Sequence, residues 1–496
     1  MNKLFGFLKK LDDNLVKILL VGFIFFVPLW PKLPIKTINY TYIAIRLDDL
    51  YLALMSFVFL IQLLRKKATL NRTFLWLFIA FWGAVFLATG WGIFVQKTIV
   101  IASLGYLNAL RRVEYMIVFF IAFSVVKTKK DFFQLLNLYL VGVLLTVLYG
   151  FGQKFFNLPA VQTMNPEYAK GYLLYLTPEA RLSSTFAGHY DLASYLVFAI
   201  PIIFGLYFFS NKKRYLGLFV LSLIILIYTS SRISFGAYVV SAFAFLIFMR
   251  KYWFVVFAVL LTALLMFTTG ELTKRFLQTF QVRRILVDEK TGAVYIGQKI
   301  TTKDLPAGSF YVKLGNQQGS NLNQLRQQVI QQQVNQATLS GQISQGQEQQ
   351  YIATLAANLQ PVNTVVSDIS FATRLQIEWP RAINAFKKNP LLGTGPSSIT
   401  EATDNDYLRW VGEFGLLGTG LFFLILYVLY RKLWSKDLVN LGFIFGLAGL
   451  MINATYIDVF EASKVAYTFW IIAGIFVAYN SLNKPASQPT KGRRTK

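Results

Sequence analysis

The chain of 496 residues has no cysteine and one histidine, His189. This excludes disulfides, thiolate metal sites, a cysteine nucleophile and any centre built on several histidines. The lack of disulfides does not by itself assign a compartment. Charge is also scarce: 15% of residues are Asp, Glu, Lys or Arg, against 55% hydrophobic and 16% aromatic. An ordinary soluble domain carries about 25% charged residues, so a soluble globular protein is excluded. Acids are the scarcer sign, 23 against 49 Lys plus Arg, for a formal net charge of +26 at pH 7. A surplus of this size would suggest nucleic acid, but the bases lie in short clusters between long apolar runs.

Runs of the length needed to cross about 30 Å of hydrocarbon fall near residues 14–30, 43–64, 73–91, 106–126, 132–152, 190–209, 215–230, 233–249, 252–269, 412–430, 438–455 and 465–481. The expected fold is therefore an all-α polytopic membrane protein of about twelve transmembrane helices, with one large extracytoplasmic segment between spans nine and ten. No small-residue cleavage site follows the first apolar run, so that run is expected to be a retained span. With the N-terminus cytoplasmic, Arg65-Lys66-Lys67, Lys127 with Lys129-Lys130, Lys212-Lys213-Arg214, Arg250-Lys251, Arg431-Lys432 with Lys436, and the tail GRRTK all fall on one side. That is the positive-inside pattern, and contact with anionic lipid accounts for the charge surplus without nucleic acid. The organisation expected is a membrane domain at 1–269, an extracytoplasmic segment at 270–407, a second membrane portion at 408–482 and a basic cytoplasmic tail at 483–496.

Two outward segments, 153–189 and 270–407, are longer than connectors need to be, which is uncommon unless they carry function. Within the second, RRILVDEKTGAVYIGQ alternates around Lys290-Thr291-Gly292 and suits a hairpin, with SFYVKL as a third strand. Residues 317–360 are rich in Gln, with Leu325, Ile330, Val334 and Leu339 at roughly helical spacing. That pattern fits an exposed amphipathic helix or a disordered polar tract.

Three polar constellations are expected on the outer face. Arg181 to Ala193, RLSSTFAGHYDLA, gathers Arg181, His189 and Asp191 where the sixth span begins. It could line an interfacial pocket, or simply cap the helix with Asp191 in its first turn. Thr229 to Ala237, TSSRISFGA, leaves Arg232 almost no loop and so sets it at the membrane boundary, where it needs an anionic partner. Guanidinium suits bidentate phosphate or pyrophosphate; a helix-end snorkel to a lipid headgroup is the plainer alternative. The third combines the Gly/Pro turn Asn389 to Pro396, the cluster Asp404-Asn405-Asp406-Tyr407, and Glu413-Phe414-Gly415-Leu416-Leu417-Gly418-Thr419, read as a glycine-spaced helix start. Gly415 and Gly418 alone would indicate close helix packing; carboxylates beside them point to chemistry.

These three blocks, in this order, resemble the O-antigen ligase and polymerase superfamily. In its ligase branch the last motif reads His, then Asn, Ser or Gln, nine residues, and Gly-x-x-Gly-Thr. Asn405, the nine residues Asp406 to Phe414, and Gly415-Leu416-Leu417-Gly418-Thr419 match it, with Asp404 where the histidine should stand. The Arg181 block, Ser231-Arg232 with Gly236-Ala237, and Arg374, Trp379 and Pro390 to Gly395 resemble the family's other outer segments. The resemblance implies a bacterial cytoplasmic-membrane glycosyltransferase with both termini cytoplasmic. It would move a glycan from undecaprenyl diphosphate to a glycan, lipid or protein hydroxyl at the outer face, without cofactor, metal or nucleotide sugar. Arg181, Arg232 and Arg374 would hold the diphosphate, with Asp404, His189 and Glu413 the candidate bases in that order. Asn405, Tyr407, Gly415, Gly418 and Ser231 would support the motif. The aspartate in place of histidine keeps chain polymerisation open as the alternative. Asp404 and Asp406, one residue apart, also have a spacing that can hold a divalent cation. Outside the family, a transporter or flippase would show broken spans and intramembrane charge, but the chain has no evident matching halves. A structural protein would use the Gln-rich tract for docking.

Overall fold

A helix occupies each of the apolar runs in the computed structural model, which describes residues 2–37, 44–161, 173–177, 180–270, 272–273, 282–288, 294–296, 311–313, 322–339, 348–365, 374–399 and 403–483. The first nine are α1 (Asn2–Leu29), α2 (Leu47–Leu64), α3 (Arg72–Phe94), α4 (Ala102–Val125), α5 (Lys129–Phe155), α6 (His189–Ser210), α7 (Lys213–Tyr228), α8 (Arg232–Phe248) and α9 (Tyr252–Thr269). Two strands between α1 and α2, β1 (Pro34–Thr37) and β2 (Ala44–Arg46), pair antiparallel. Among the described residues, seven helices are long and apolar enough to cross a membrane: α2, α3, α5, α6, α9 and two that follow the outer segment. The expected twelve goes beyond that number for physical reasons. α8 is a shorter apolar helix, and α4 carries Arg111, Arg112 and Glu114 in its middle.

The chain between α9 and the last membrane helices forms β3 (Val282–Asp288), β4 (Val294–Ile296) and β5 (Tyr311–Lys313), then α10 (Leu322–Leu339), α11 (Glu348–Asn358) and β6 (Leu359–Val365). The sheet order is β5-β4-β3-β6, with β3 antiparallel to both neighbours and β4 parallel to β5. The anticipated hairpin and third strand are thus present, although the turn Lys290-Thr291-Gly292 lies outside the described residues. The Gln-rich tract contains two helices; 317–321 and 340–347, like the tail GRRTK, lie outside the described residues. One π turn (Arg374–Glu378) leads into α12 (Trp379–Lys388). Three helices close the fold: α13 (Asp406–Leu433), α14 (Leu438–Asn453) and α15 (Ser463–Leu482).

Burial sorts these helices by position. In α6 and α15 83% of the apolar window is buried, against 11% in α9. α6 and α15 are the inner helices, and α9 turns most of its surface outward. α14 lies against α6 so closely that a Cβ on Gly442 or Gly446 would meet the carbonyl oxygen of Pro201 or Phe198 at 2.7 Å. Small residues at this spacing let helix backbones approach in a setting where lipid gives no hydrophobic drive to helix association.

Candidate functional site

The site is built on an interruption in α13. Gly415 stands at φ 61 and ψ −163 inside the helix, a conformation that only glycine adopts cheaply. The carbonyls of Gly412 and Glu413 lose their partners in the next turn and accept instead from Thr394 and Gly395 N–H, each at 2.9 Å. The N–H groups of Leu416 and Leu417 donate to Pro390 and Leu391 carbonyls at 2.8 and 3.1 Å. Four orphaned backbone groups are thereby satisfied by the loop Asn389 to Pro396. Gly415 was expected at a helix start; the helix begins nine residues earlier, at Asp406, because Asn405 caps it by accepting from Leu408 N–H at 3.0 Å.

Asp404 precedes that cap in the left-handed region, at φ 49. The turn is shaped by Asp458, whose carboxylate accepts from Thr403 N–H at 3.3 Å and Asn405 N–H at 3.0 Å. Arg409 Nη1 donates to the same carboxylate at 2.9 Å. So presented, Asp404 Oδ2 accepts from Arg374 Nη2 at 2.5 Å. The arginine side chain is 2% exposed and the aspartate 32%, so the carboxylate is the partner open to an incoming molecule. Arg374 Nε and Nη1 are buried with no hydrogen-bond partner among the described residues. Its guanidinium lies 4.2 Å from the Tyr456 ring centre and 5.7 Å from that of Tyr190. Burial raises the Asp404 carboxyl above the ordinary aspartate value; Arg374 pulls it down, Asp458 pushes it up, and the net direction is upward. Glu378, on the same π turn, is pushed well up by burial and by Asp404.

Tyr190 leads to the next group. Its neighbour His189 opens α6, and His189 Nε2 lies 2.8 Å from Arg181 Nη1. A guanidinium only donates, so this imidazole nitrogen is unprotonated and accepts. The charges of both Arg181 and Arg374 bear on His189, and Asp404 bears on Asp191. Arg232 is the first residue of α8, half-buried, after the N-cap Ser231, whose oxygen accepts from Ser234 N–H at 3.3 Å. Leu182 N–H donates to Tyr228 C=O at 3.2 Å, which sets the Arg181 block against the turn preceding Arg232.

Residues 217–423 match the family model for O-Antigen ligase. That stretch, under half of the chain, is what is similar to the family. The resemblance seen in its three motifs is thereby borne out at the level of the ligase and polymerase superfamily. The matched stretch includes Arg232, Arg374, Asp404 and the Gly415 break, and leaves Arg181 and His189 upstream of it. No curated protein matches the chain.

Within the matched stretch the other candidates take different places. Glu413 is fully buried, in the second turn of α13 rather than its first, 3.6 Å from Arg112 Nη2 and 3.5 Å from Arg409 Nε. Tyr407 donates its hydroxyl to Met451 C=O at 2.7 Å. Gly418 lies one turn beyond Gly415, where a Cβ would press on Phe414. The two carboxylates spaced for a cation diverge: Asp404 goes to Arg374, while Asp406 Oδ2 accepts from Val459 and Phe460 N–H at 2.8 and 3.0 Å.

The sequence reading did not single out several charged groups that surround the site. Arg112 pairs with Glu461 as well as Glu413. Lys464, fully inside, donates to the carbonyls of Pro28, Trp30 and Thr185 at 3.2, 2.7 and 2.7 Å and so ties α1 and the Arg181 block to α15. Lys32 is pushed down to about 8 by burial and by Arg46. Arg111, Arg112 and Glu114 interrupt an apolar run, and ionisable residues inside a span are functional or structural by default; that signal could have found them.

Proposed function

We propose that this protein transfers a glycan from undecaprenyl diphosphate to an acceptor hydroxyl at the outer face of the membrane. The family match supports a ligase-like or polymerase-like role. The observation that carries the finer reading is the open Asp404 carboxylate gripped by a buried arginine beside the Arg181–His189 pair. In this reading the acceptor oxygen bonds to the anomeric carbon as the bond from that carbon to the diphosphate oxygen breaks. The electron pair leaves on the diphosphate, and the acceptor proton passes to Asp404. Arg374 orients that carboxylate, and Arg181 and Arg232 stabilise the charge that develops on the leaving diphosphate. His189, whose unprotonated Nε2 already accepts from Arg181, positions that guanidinium rather than taking the proton. Glu413, enclosed by two arginines, holds the Gly415 break rather than the substrate.

Asp404 in the place of the motif histidine favours a second reading, in which the acceptor is another lipid-linked glycan and the product a longer chain. Both readings are tested by incubating purified protein with polyprenyl-diphosphate glycan and candidate acceptors, followed by mass spectrometry. A new glycosidic linkage with release of polyprenyl diphosphate is expected. Movement of the donor across liposomes with its linkages unchanged would make the protein a transporter instead.

A further inference from the structure

The π turn that carries Arg374 also forms one wall of a cleft of about 670 Å³. The cleft is separate from the Arg374–Asp404 pair, neither residue of which lines it. Its walls join parts far apart in sequence: the link between α3 and α4, the π turn with α12, the Asn389 to Pro396 loop, and Gln360 at the start of β6. Pockets of about 300–1,000 Å³ between such parts are the usual form of ligand sites. Thr98 Oγ1 donates to Thr394 C=O at 2.7 Å, which fixes the α3–α4 link to the loop that also satisfies the α13 break. The cleft therefore sits on the same end of the helices as Asp404.

The chemistry of its lining is one-sided. Lys97, Arg381 and Lys388 bring positive charge, Gln96, Gln376 and Asn384 bring amides, and among the described residues the lining contains no carboxylate. Amides, which donate and accept, match the hydroxyls of sugars. The exposed ammonium groups of Lys97 and Lys388 match carboxylate or phosphate substituents. Ile377 and Ile399 add an apolar strip on which the C–H face of a sugar ring can lie. A lipid would need a long apolar path for its acyl chains, whereas the apolar side chains of this lining are few and most of its residues are polar. We propose that this cleft holds an acidic oligosaccharide, the stretch of glycan adjoining the reacting sugar. The proposal deepens the transferase reading and rests on it for the identity of the glycan as substrate.

The test measures binding without turnover. Calorimetry on the purified full chain in neutral detergent compares tetragalacturonate, maltotetraose and inorganic phosphate. The acidic tetramer should bind best and should weaken as salt rises. In the variant Lys97→Gln with Lys388→Gln its affinity should fall about tenfold or more, and Asn384→Ala, which keeps the charge, should weaken both tetramers. Thermal unfolding equal to wild type guards against misfolding. Absent binding of the acidic tetramer, equal binding by the variants, or phosphate binding as tightly as the tetramer would overturn the proposal. Transfer assays pairing an acidic donor glycan with a neutral acceptor, and the reverse, identify the source by which arm shows the raised KM; a raised KM in neither arm also overturns it. Binding without transfer would defeat the transferase reading alone, and transfer without binding would defeat only the cleft.

Discussion

Arg374 and Asp404 divide the work of one ion pair. Nearly all of the arginine side chain is enclosed, where an unpaired charge is costly, and the aspartate that satisfies it keeps about a third of its side chain exposed. A base must be ionised to take a proton, and burial sets this carboxyl above its ordinary value. Transfer should therefore rise with pH through that elevated value rather than through the usual aspartate range. Arg374→Gln removes the main cation opposing the shift, so the acid limb of the pH–rate profile should move to still higher pH, with the rate at neutral pH lowered by roughly a hundredfold. Stopped or unshifted profiles from the variant, measured with the mass-spectrometric transfer assay, decide this. Glu413→Gln should behave differently. Arg112 keeps Glu461 and Arg409 keeps Asp458, so the loss should be about 1–3 kcal/mol of stability. A lowered unfolding midpoint with an unchanged pH profile is the expected outcome.

At the scale of elements, apolar runs made the helices legible, because a run's length and polar flanks mark where a helix can stay in hydrocarbon. The boundaries of α6, α7, α8 and α9 lie within two residues of the expected runs. The break in α13 was not legible. Gly415 and Gly418 carry the same spacing as ordinary helix packing, and the partner loop that takes over the backbone hydrogen bonds lies 18 to 26 residues upstream of the groups it pairs. Only the convergence of Pro390, Leu391, Thr394 and Gly395 on that break shows why the motif pairs a Gly/Pro turn with a glycine-spaced helix. Gly415→Ala should be strained at φ 61 and should also clash with the Leu391 carbonyl. A stability loss of at least ~1–3 kcal/mol is expected, read as a lower thermal midpoint in detergent, together with reduced transfer because Glu413 and the start of α13 shift.

Across the whole molecule, groups from the start of α6, the π turn and the cap of α13 assemble around Asp404, and the α7–α8 turn joins them through the Arg181 block. The sequence offered Arg181, His189, Arg374 and Asp404 through their motifs. It did not reveal Asp458, Tyr456 or Lys464, since their roles are to shape a turn, face an arginine and tie carbonyls together, none of which leaves a local pattern. The orientation expected from the basic corners of the chain is directly testable because the sequence has no cysteine. Single cysteines at the exposed positions Lys97 and Lys388 should react with an impermeant thiol reagent from outside intact cells, and those at the exposed positions Lys212 and Arg250 only after permeabilisation; the opposite pattern would invert the topology. The most direct test of the central claim is the initial rate of glycan transfer by folded, purified Asp404→Asn. Loss of at least about a hundredfold, with the lipid-linked donor still bound, is the predicted result. A rate equal to that of the wild type would contradict the assignment of this carboxylate as the base.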